Sequence, residues 1–280
     1  MKVDYIELEY SNVLNTCIDG IKNKDKKLDF QSIKLKLLND KKIYIKYACL
    51  SNFQLIKKHT LHSNRLTIDN HSWLYSTRLL KNKDCRIYYD KIITNQDICL
   101  YCGIRDSETL DHFLSKSIYP NYSILPENLI PCCSKCNTAK GDIDKNSLQK
   151  ADYFLHPYFD DFNNIRWING YLDIIENKLF FDFYLDSAQL NDNEYKRIES
   201  MVIKIELREL YIRKASIKFK RDEKYLFNLY NKNGIIELED MFKSHYNYLN
   251  AVDENDFEKT YYLILLNNIN ILLKYFKNKK

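Results

Sequence analysis

Two Cys-x-x-Cys pairs carry the clearest chemistry in the chain: Cys99/Cys102 and Cys133/Cys136. Two residues between thiolates let both sulfurs turn toward one ion from a tight knuckle. Two such knuckles complete a closed tetrahedral set, the usual structural zinc arrangement. Thirty residues separate the pairs, and Gly103 follows the first. A redox dithiol would instead need a single pair behind a strand of a βαβ unit. The spacing therefore predicts zinc. A four-sulfur site leaves no coordination position open and hydrolyses nothing, so its work is to hold what lies between the knuckles. Cys132 is the odd neighbour. Pairing it with Cys136 would leave three residues between them, so Cys133 is the better ligand and Cys132 is expected in the core.

Asp111-His112 and Asn128 lie between the knuckles, and Asn137 and Lys140 just beyond them. "TLDHFL" reads as a strand, "NLIPCC" as its antiparallel partner and "SKCNTAK" as a short helix across the pair. An ideal strand points Asp111 and His112 to opposite faces. Both can serve one site only if the strand bulges or ends there. Singly, each residue has an ordinary reading: a structural Asp-His pair, a turn asparagine in "PENL", a polar group opening a helix. Their joint placement around two metal knuckles favours an active site. The other histidines (His59, His62, His71, His156 and His245) lack such company. His156, near Asp160 and Asp161, reads as a capped turn rather than a second site.

With these residues in place, the segment Cys99–Asp142 resembles the ββα-metal core of zinc-bearing HNH endonucleases. The shared pattern is Cys-x-x-Cys, Asp-His, Asn-Leu, then Cys-x-x-Cys followed at once by His or Asn, here Asn137. The wording around "DHFLSKSIYP" and "ENLIPCCSKCNTAKGD" also resembles the branch that includes the nuclease component of Septu-type antiphage systems, although members often have Pro where this chain has Ser115. The resemblance implies that His112 is the general base activating water against a phosphodiester, a task suited to an imidazole. It implies that Asp111 and Asn137 offer oxygen ligands to one catalytic cation, Mg²⁺ or Mn²⁺, which stabilises the leaving 3′ oxygen. Asn128 would hold the hairpin and orient the imidazole. Lys116 and Lys140 are near enough in sequence to approach a phosphate.

The implied function is a metal-dependent endonuclease acting on DNA in bacterial antiphage defence. An RNA-cleaving toxin with the same site is one rival, because phosphate contacts carry little base information. A catalytically silent zinc-ribbon module that binds nucleic acid or protein is another, and the intact His112 and Asn137 argue against it. Outside the core, the flanking regions could read DNA, bind a partner such as a defence ATPase, or dimerise.

The elements that must position these residues are mostly helical. Residues 1–95 form a helical N-terminal region, with apolar residues in "DYIELEYSNVLNTCIDGI" mostly three or four apart. "SIKLKLLNDKKIYIKYACLSNF" is ambiguous between helix and strand, and "SWLYSTRLL" and "CRIYYDKII" read as short helices. Residues 96–150 are the nuclease core. Residues 151–280 open with alternating, aromatic-rich sequence that predicts a small antiparallel sheet, with tight turns at Asn169-Gly170 and Glu176-Asn177-Lys178. Helices resume near Asn191, along a stripe of Lys204, Arg208, Arg213, Lys214, Lys218, Lys220 and Arg221. A solvated face explains that stripe better than a phosphate-tracking surface. "TYYLILLNNINILLKYF", Thr260–Phe276, reads as a buried or amphipathic helix. The fold class is α+β: a mostly helical chain, a central zinc-stabilised ββα-metal core, and a small sheet after it.

Composition agrees with that class. The 280 residues are 45% hydrophobic and 14% aromatic, enough to offset ordering entropy and exclude a disordered chain. Net charge is +5, and residues 1–98 hold 18 Lys/Arg against 11 Asp/Glu. This permits a polyanionic partner without demanding one. Eight cysteines, five of them within 38 residues, suit one thiolate metal site better than a disulfide framework. "MKVDYIELEY" has acids where a secretory signal needs an apolar core, and no run of roughly 18 uncharged apolar residues could span a bilayer. A cytoplasmic protein without membrane contact is expected.

Overall fold

Helix α1, Tyr10–Asp19, buries Tyr10, Val13, Leu14, Cys17 and Ile18 along one face, the stripe that a 3.6-residue period predicts. Asn23 caps helix α2, Lys24–Cys49, accepting the Lys26 N–H at 2.8 Å. The segment ambiguous between helix and strand, Ser32–Phe53, lies inside α2 up to Cys49. Its buried residues Ile33, Leu37, Asp40, Tyr44 and Ala48 recur every three or four positions, which only a helix turns to one side. Helices α3, Ile68–Trp73, and α4, Lys83–Ile93, follow. Between them lies a π-type turn, Leu74–Leu79. Buried Arg78 donates from Nε to the Cys17 carbonyl at 2.9 Å and from Nη2 to the Thr16 carbonyl at 3.3 Å. It thereby serves the carbonyls that end α1.

These helices enclose a hairpin of two four-residue strands, β1 (Thr109–His112) and β2 (Leu129–Cys132), crossed by helix α5 (Ser134–Lys140). The computed structural model describes residues 2–142, 146–249 and 253–279. It divides the chain into two compact units. The first contains residues 2–161 and 196–201, the second residues 162–195 and those from 202 onward. The chain is α+β and mostly helical. Among the described residues, no helix is long and apolar enough to cross a membrane.

One polar chain ties the first unit together. The His156 Nδ1 accepts from the Tyr158 N–H at 3.2 Å, so its Nε2–H donates to the Tyr44 hydroxyl at 2.9 Å. Tyr44 donates to the Asn128 side-chain oxygen at 3.1 Å. His156 is therefore structural, and its turn is capped as expected: Asp160 accepts the His156 N–H at 2.6 Å. Arg197, fully buried, clamps that carboxylate at 3.0 and 2.5 Å and donates to the Tyr153 and Phe154 carbonyls. Burial would raise the Asp160 carboxyl, but Arg197 outweighs it and holds the group low.

In the second unit, β3 (Ile168–Ile175) and β4 (Lys178–Leu185) pair in unbroken antiparallel register. Glu176-Asn177, both at positive φ (49° and 60°), make the predicted tight turn. The turn expected at Asn169-Gly170 does not exist; both residues lie inside β3. Gly170 is required there by close approach. A Cβ at this position would meet the Asp182 carbonyl at 2.4 Å and Ile264 Cδ1 at 2.5 Å.

Helix α6, Asp192–Lys204, is followed by a left-handed Glu206 (φ 54°) that separates it from α7, Leu207–Tyr248. Gly234, at φ 83° and ψ −170°, kinks α7. The Thr260–Phe276 stretch is two helices, not one: α8, Phe257–Asn267, and α9, Ile269–Lys277. Asn268 ends α8 by donating to the Ile264 carbonyl at 2.9 Å. The hairpin packs on these helices through Phe181 against Tyr261 and Phe183 against Tyr211. The basic stripe divides. Arg208 ties down Asp182, and Lys218 turns toward Tyr261, Tyr262 and Glu258. Arg213, Lys214, Lys220 and Arg221 are exposed.

Two outcomes follow from this packing. Gly170→Ala forces a methyl group against backbone and should cost on the order of 2 kcal/mol, read as a lowered melting temperature. Acid should also destabilise the first unit. Burial lowers His71 to about 4 and His156 to about 3, whereas the unfolded chain protonates near 6.5. The unfolded state therefore binds more protons below pH 6.5. Stability is complete above that pH and falls as pH drops toward 4. At pH 5 each imidazole removes about 2 kcal/mol. Denaturant midpoints at pH 7.5 and 5.0 test this, and an unchanged midpoint contradicts it.

Candidate active site

The first knuckle is a small reverse turn. The Cys99 N–H donates to the Arg105 carbonyl at 2.8 Å and the Gly103 N–H to the Cys99 carbonyl at 2.9 Å. Gly103 adopts a φ of 63°, the left-handed conformation that glycine takes without strain. The second knuckle opens α5. Cys133 is its N-cap, and its Sγ accepts the Cys136 N–H at 3.4 Å. The sulfurs of Cys99, Cys102, Cys133 and Cys136 all lie within 4.8 Å of one another and are buried. Tetrahedral zinc, with Zn–S near 2.3 Å, would set its sulfurs about 3.8 Å apart, so the donor set fits one such ion. Arg105 Nη1 lies 3.8 Å from both Cys133 and Cys136 Sγ, partly offsetting thiolate charge. Cys132 stands outside the cluster and is wholly buried.

The knuckles clamp the hairpin from one end. Glu108 N–H and Leu100 N–H donate to the β2 carbonyls of Cys132 and Pro131 at 3.0 and 3.2 Å. The β1–β2 register is one to one, with Asp111 opposite Ile130 and His112 opposite Leu129. No bulge occurs. Instead the strand ends at His112, and Asn128 takes over the ladder. Its carbonyl accepts the Phe113 N–H at 2.8 Å. Its side-chain oxygen accepts the Leu114 N–H at 2.8 Å, and its amide donates to the Leu114 and Tyr122 carbonyls at 3.0 and 3.2 Å. Asp111 and His112, adjacent in sequence, both line one cleft of about 280 Å³ with Asn137, Lys116, Tyr75 and Asp142.

His112 is held by a partner that its sequence neighbours do not announce. Its Nε2 lies 2.8 Å from the Ser123 carbonyl, which can only accept, so Nε2 carries the proton and Nδ1 keeps its lone pair. The Tyr75 ring, from the π-type turn, packs edge-on at 4.4 Å, and its hydroxyl donates to the Leu110 carbonyl at 3.3 Å. Burial first, and then Lys116, holds the imidazole down at about 3. Asn128 acts one step removed from His112: it fixes the Tyr122 carbonyl beside Ser123 rather than touching the ring.

Asp111 Oδ2 accepts from the Tyr101 hydroxyl at 2.7 Å and from Lys140 Nζ at 2.9 Å. Burial pushes the carboxyl up, and Lys140 and Tyr101 pull it back. Lys140 is not an open cation. It is buried, bonds the His112 carbonyl at 2.9 Å as well, and does not line the cleft. Its stem crosses from α5 to β1, so a phosphate cannot reach it as it can Lys116. Asn137 spends its amide on Thr109 Oγ1 at 3.5 Å, which leaves its carbonyl oxygen as an acceptor. The Asp111 carboxylate and that oxygen are hard donors of the kind a magnesium or manganese ion takes. Sequence reasoning missed Tyr75, Tyr101 and Ser123. Tyrosine occurs 23 times, so no single one stood out, and Ser123 contributes only its backbone.

Comparison with known proteins points to the same stretch of chain. The family model for the HNH endonuclease matches residues 99–142. Protein ea31 of Escherichia phage lambda is 30% identical over 174 residues, covering 57% of this chain and 57% of that protein. Septu protein PtuB of Bacillus thuringiensis is 36% identical over 77 residues, covering 25% of this chain and 28% of that protein. The chain thus spans little more than half of one relative and about a quarter of the other. No solved structure matches it. Knuckles, hairpin and crossing helix fall within the matched stretch, and residues 99–142 are an HNH endonuclease domain.

Proposed function

We propose that this domain is a metal-dependent endonuclease that hydrolyses phosphodiester bonds in DNA, in the service of antiphage defence. The observation that carries the reading is the placement of His112. Its Nε2–H is committed to the Ser123 carbonyl, which leaves Nδ1 unprotonated, and His112 lines the same cleft as Asp111 and Asn137. Nδ1 takes the proton of an attacking water while the water oxygen bonds to phosphorus and the bond to the 3′ oxygen breaks. Ser123 and Tyr75 keep the ring from turning. Asp111 and the Asn137 oxygen are the residues that would hold a divalent cation, Mg²⁺ or Mn²⁺, which when bound stabilises charge on the phosphate and the departing oxygen. Tyr101 and Lys140 orient Asp111. Lys116, whose ammonium lies 5.7 Å from the Tyr75 ring centre, receives a phosphate oxygen. The four cysteines hold zinc as a structural ion. The likeness to Septu protein PtuB supports the defence role; control by a partner ATPase is part of the same proposal.

His112→Ala should reduce plasmid nicking in Mg²⁺ or Mn²⁺ by about 10² to 10⁴ with zinc content and melting temperature kept. Undiminished cleavage by the variant overturns the mechanism. Offering labelled RNA beside DNA tests the substrate, since preferential RNA cleavage replaces the DNA reading. Cys133→Ser should lose zinc and melt at a lower temperature; a zinc-replete, stable variant means that Cys133 is no ligand. Tyr101→Phe should keep zinc and raise the Mg²⁺ concentration for half-maximal activity about tenfold, whereas an unchanged requirement removes Tyr101 from the orienting role.

A further inference from the structure

The second unit holds a cleft of about 330 Å³ between α7 and α8, within the size range of small-molecule sites. Its lining mixes charges, an imidazole and aromatic rings. Lys218 sits 5.6 and 5.3 Å from the ring centres of Tyr261 and Tyr262. His245 lies on Tyr262 at 4.7 Å. Its Nδ1–H donates to the Met241 carbonyl at 2.9 Å, so its Nε2 remains an acceptor. Asp222 adds a carboxylate, and Tyr225, 60% exposed, presents a ring at the rim. The telling group is the Tyr261 hydroxyl. The residue is 1% exposed, lines the cleft, and its hydroxyl has no hydrogen-bond partner among the described residues. An unpaired buried hydroxyl costs about 1–3 kcal/mol, a cost that a bound polar group removes. Gly234 kinks α7 between Lys218 and Asp222 on one side and Met241 and His245 on the other. The kink is what lets one helix wall the cleft from two sides.

We propose that this cleft binds a nucleotide. The base lies against Tyr225, as bases stack on aromatic faces in sequence-tolerant sites. Its polar edge meets the Tyr261 hydroxyl, Asp222 and the His245 acceptor, and its phosphate competes with Glu258, 3.4 Å from Lys218, for that ammonium. Acceptors beside an aromatic ring suit a base with amino or imino hydrogens, whereas an anion alone would be repelled by Asp222. A free nucleotide and an unpaired base of a strand share this chemistry. The proposal stands apart from the nuclease reading, because no residue of the HNH domain takes part.

The test is equilibrium binding to the full chain carrying His112→Ala, without added divalent cation, so that the HNH cleft does not consume the probe. The probes are the mononucleotides AMP, GMP, CMP and TMP, a short single-stranded oligonucleotide, and inorganic phosphate. At least one mononucleotide or the oligonucleotide should bind saturably, about tenfold more tightly than phosphate. Tighter binding of the mononucleotide supports a free nucleotide as the occupant; tighter binding of the oligonucleotide supports an unpaired base of a strand. Tyr261→Phe should weaken binding about tenfold while leaving the ligand-free melting temperature unchanged or raised, since it removes an unpaired hydroxyl. Lys218→Met should weaken it likewise. No binding by any nucleotide or strand overturns the proposal. So does phosphate binding as tightly, or a Tyr261→Phe variant that loses stability and keeps its affinity.

Discussion

The HNH domain depends on the drawing together of four thiols. Two strands of four residues cannot hold a register in water alone. Here Cys99 and Cys102 anchor the chain that enters β1, and Cys133 and Cys136 anchor the chain that leaves β2 and begins α5. With one end of the hairpin fixed, Asn128 fixes the other. Its backbone and side chain together bond Phe113, Leu114 and Tyr122. Asp111 and His112 lie between these restraints. The sulfur cluster leaves no ligand position open, yet both Asp111 and His112 owe their aim to it.

The buried charge around Asp111 obeys the same economy of partners. A carboxylate with so little exposure needs compensation. Lys140 supplies it from α5, and its ammonium also takes the His112 carbonyl. One lysine thus locks the helix to the strand and stays out of the cleft. Tyr101, lying between the two cysteines of the first knuckle, bonds the same carboxylate oxygen. The thiol cluster and the acid of the cleft are therefore one side chain apart. A similar logic runs through the surrounding helices, where His156, Tyr44 and Asn128 form a directed line of donors and acceptors. That line works only with a neutral imidazole.

The second unit is built differently. Its hairpin is longer, its turn is set by two left-handed residues, and aromatic packing replaces thiol clamping. Small polar residues mark its breaks. Asn268 divides one apolar stretch into two helices, and Gly234 bends the longest helix. The basic stripe on α6 and α7 reads as one face in the sequence. Tertiary neighbours divide it, because Asp182 and Glu258 claim Arg208 and Lys218 and leave the others to solvent.

Spacing alone marks much of this protein. Cys-x-x-Cys spacing marked the thiols, since ligand geometry is local and two intervening residues suffice to form a knuckle. Alternation and turn residues marked the second hairpin, and the position of Asp111-His112 between the knuckles marked the cleft. Other features were beyond its reach because they depend on contacts between distant residues. Whether Ser32–Cys49 is helix or strand is settled by which side chains find a core. Gly170 looked like a turn residue, but the approach of Ile264 and Asp182 makes it a strand glycine. Lys140, near enough in sequence to approach a phosphate, is turned onto Asp111 and the His112 carbonyl. The sequence by itself determined which atoms could bind metal or accept a proton. Only the tertiary structure decided where they point, because the Ser123 carbonyl, the Tyr75 ring and the end of β1 meet His112 through folding, not through spacing.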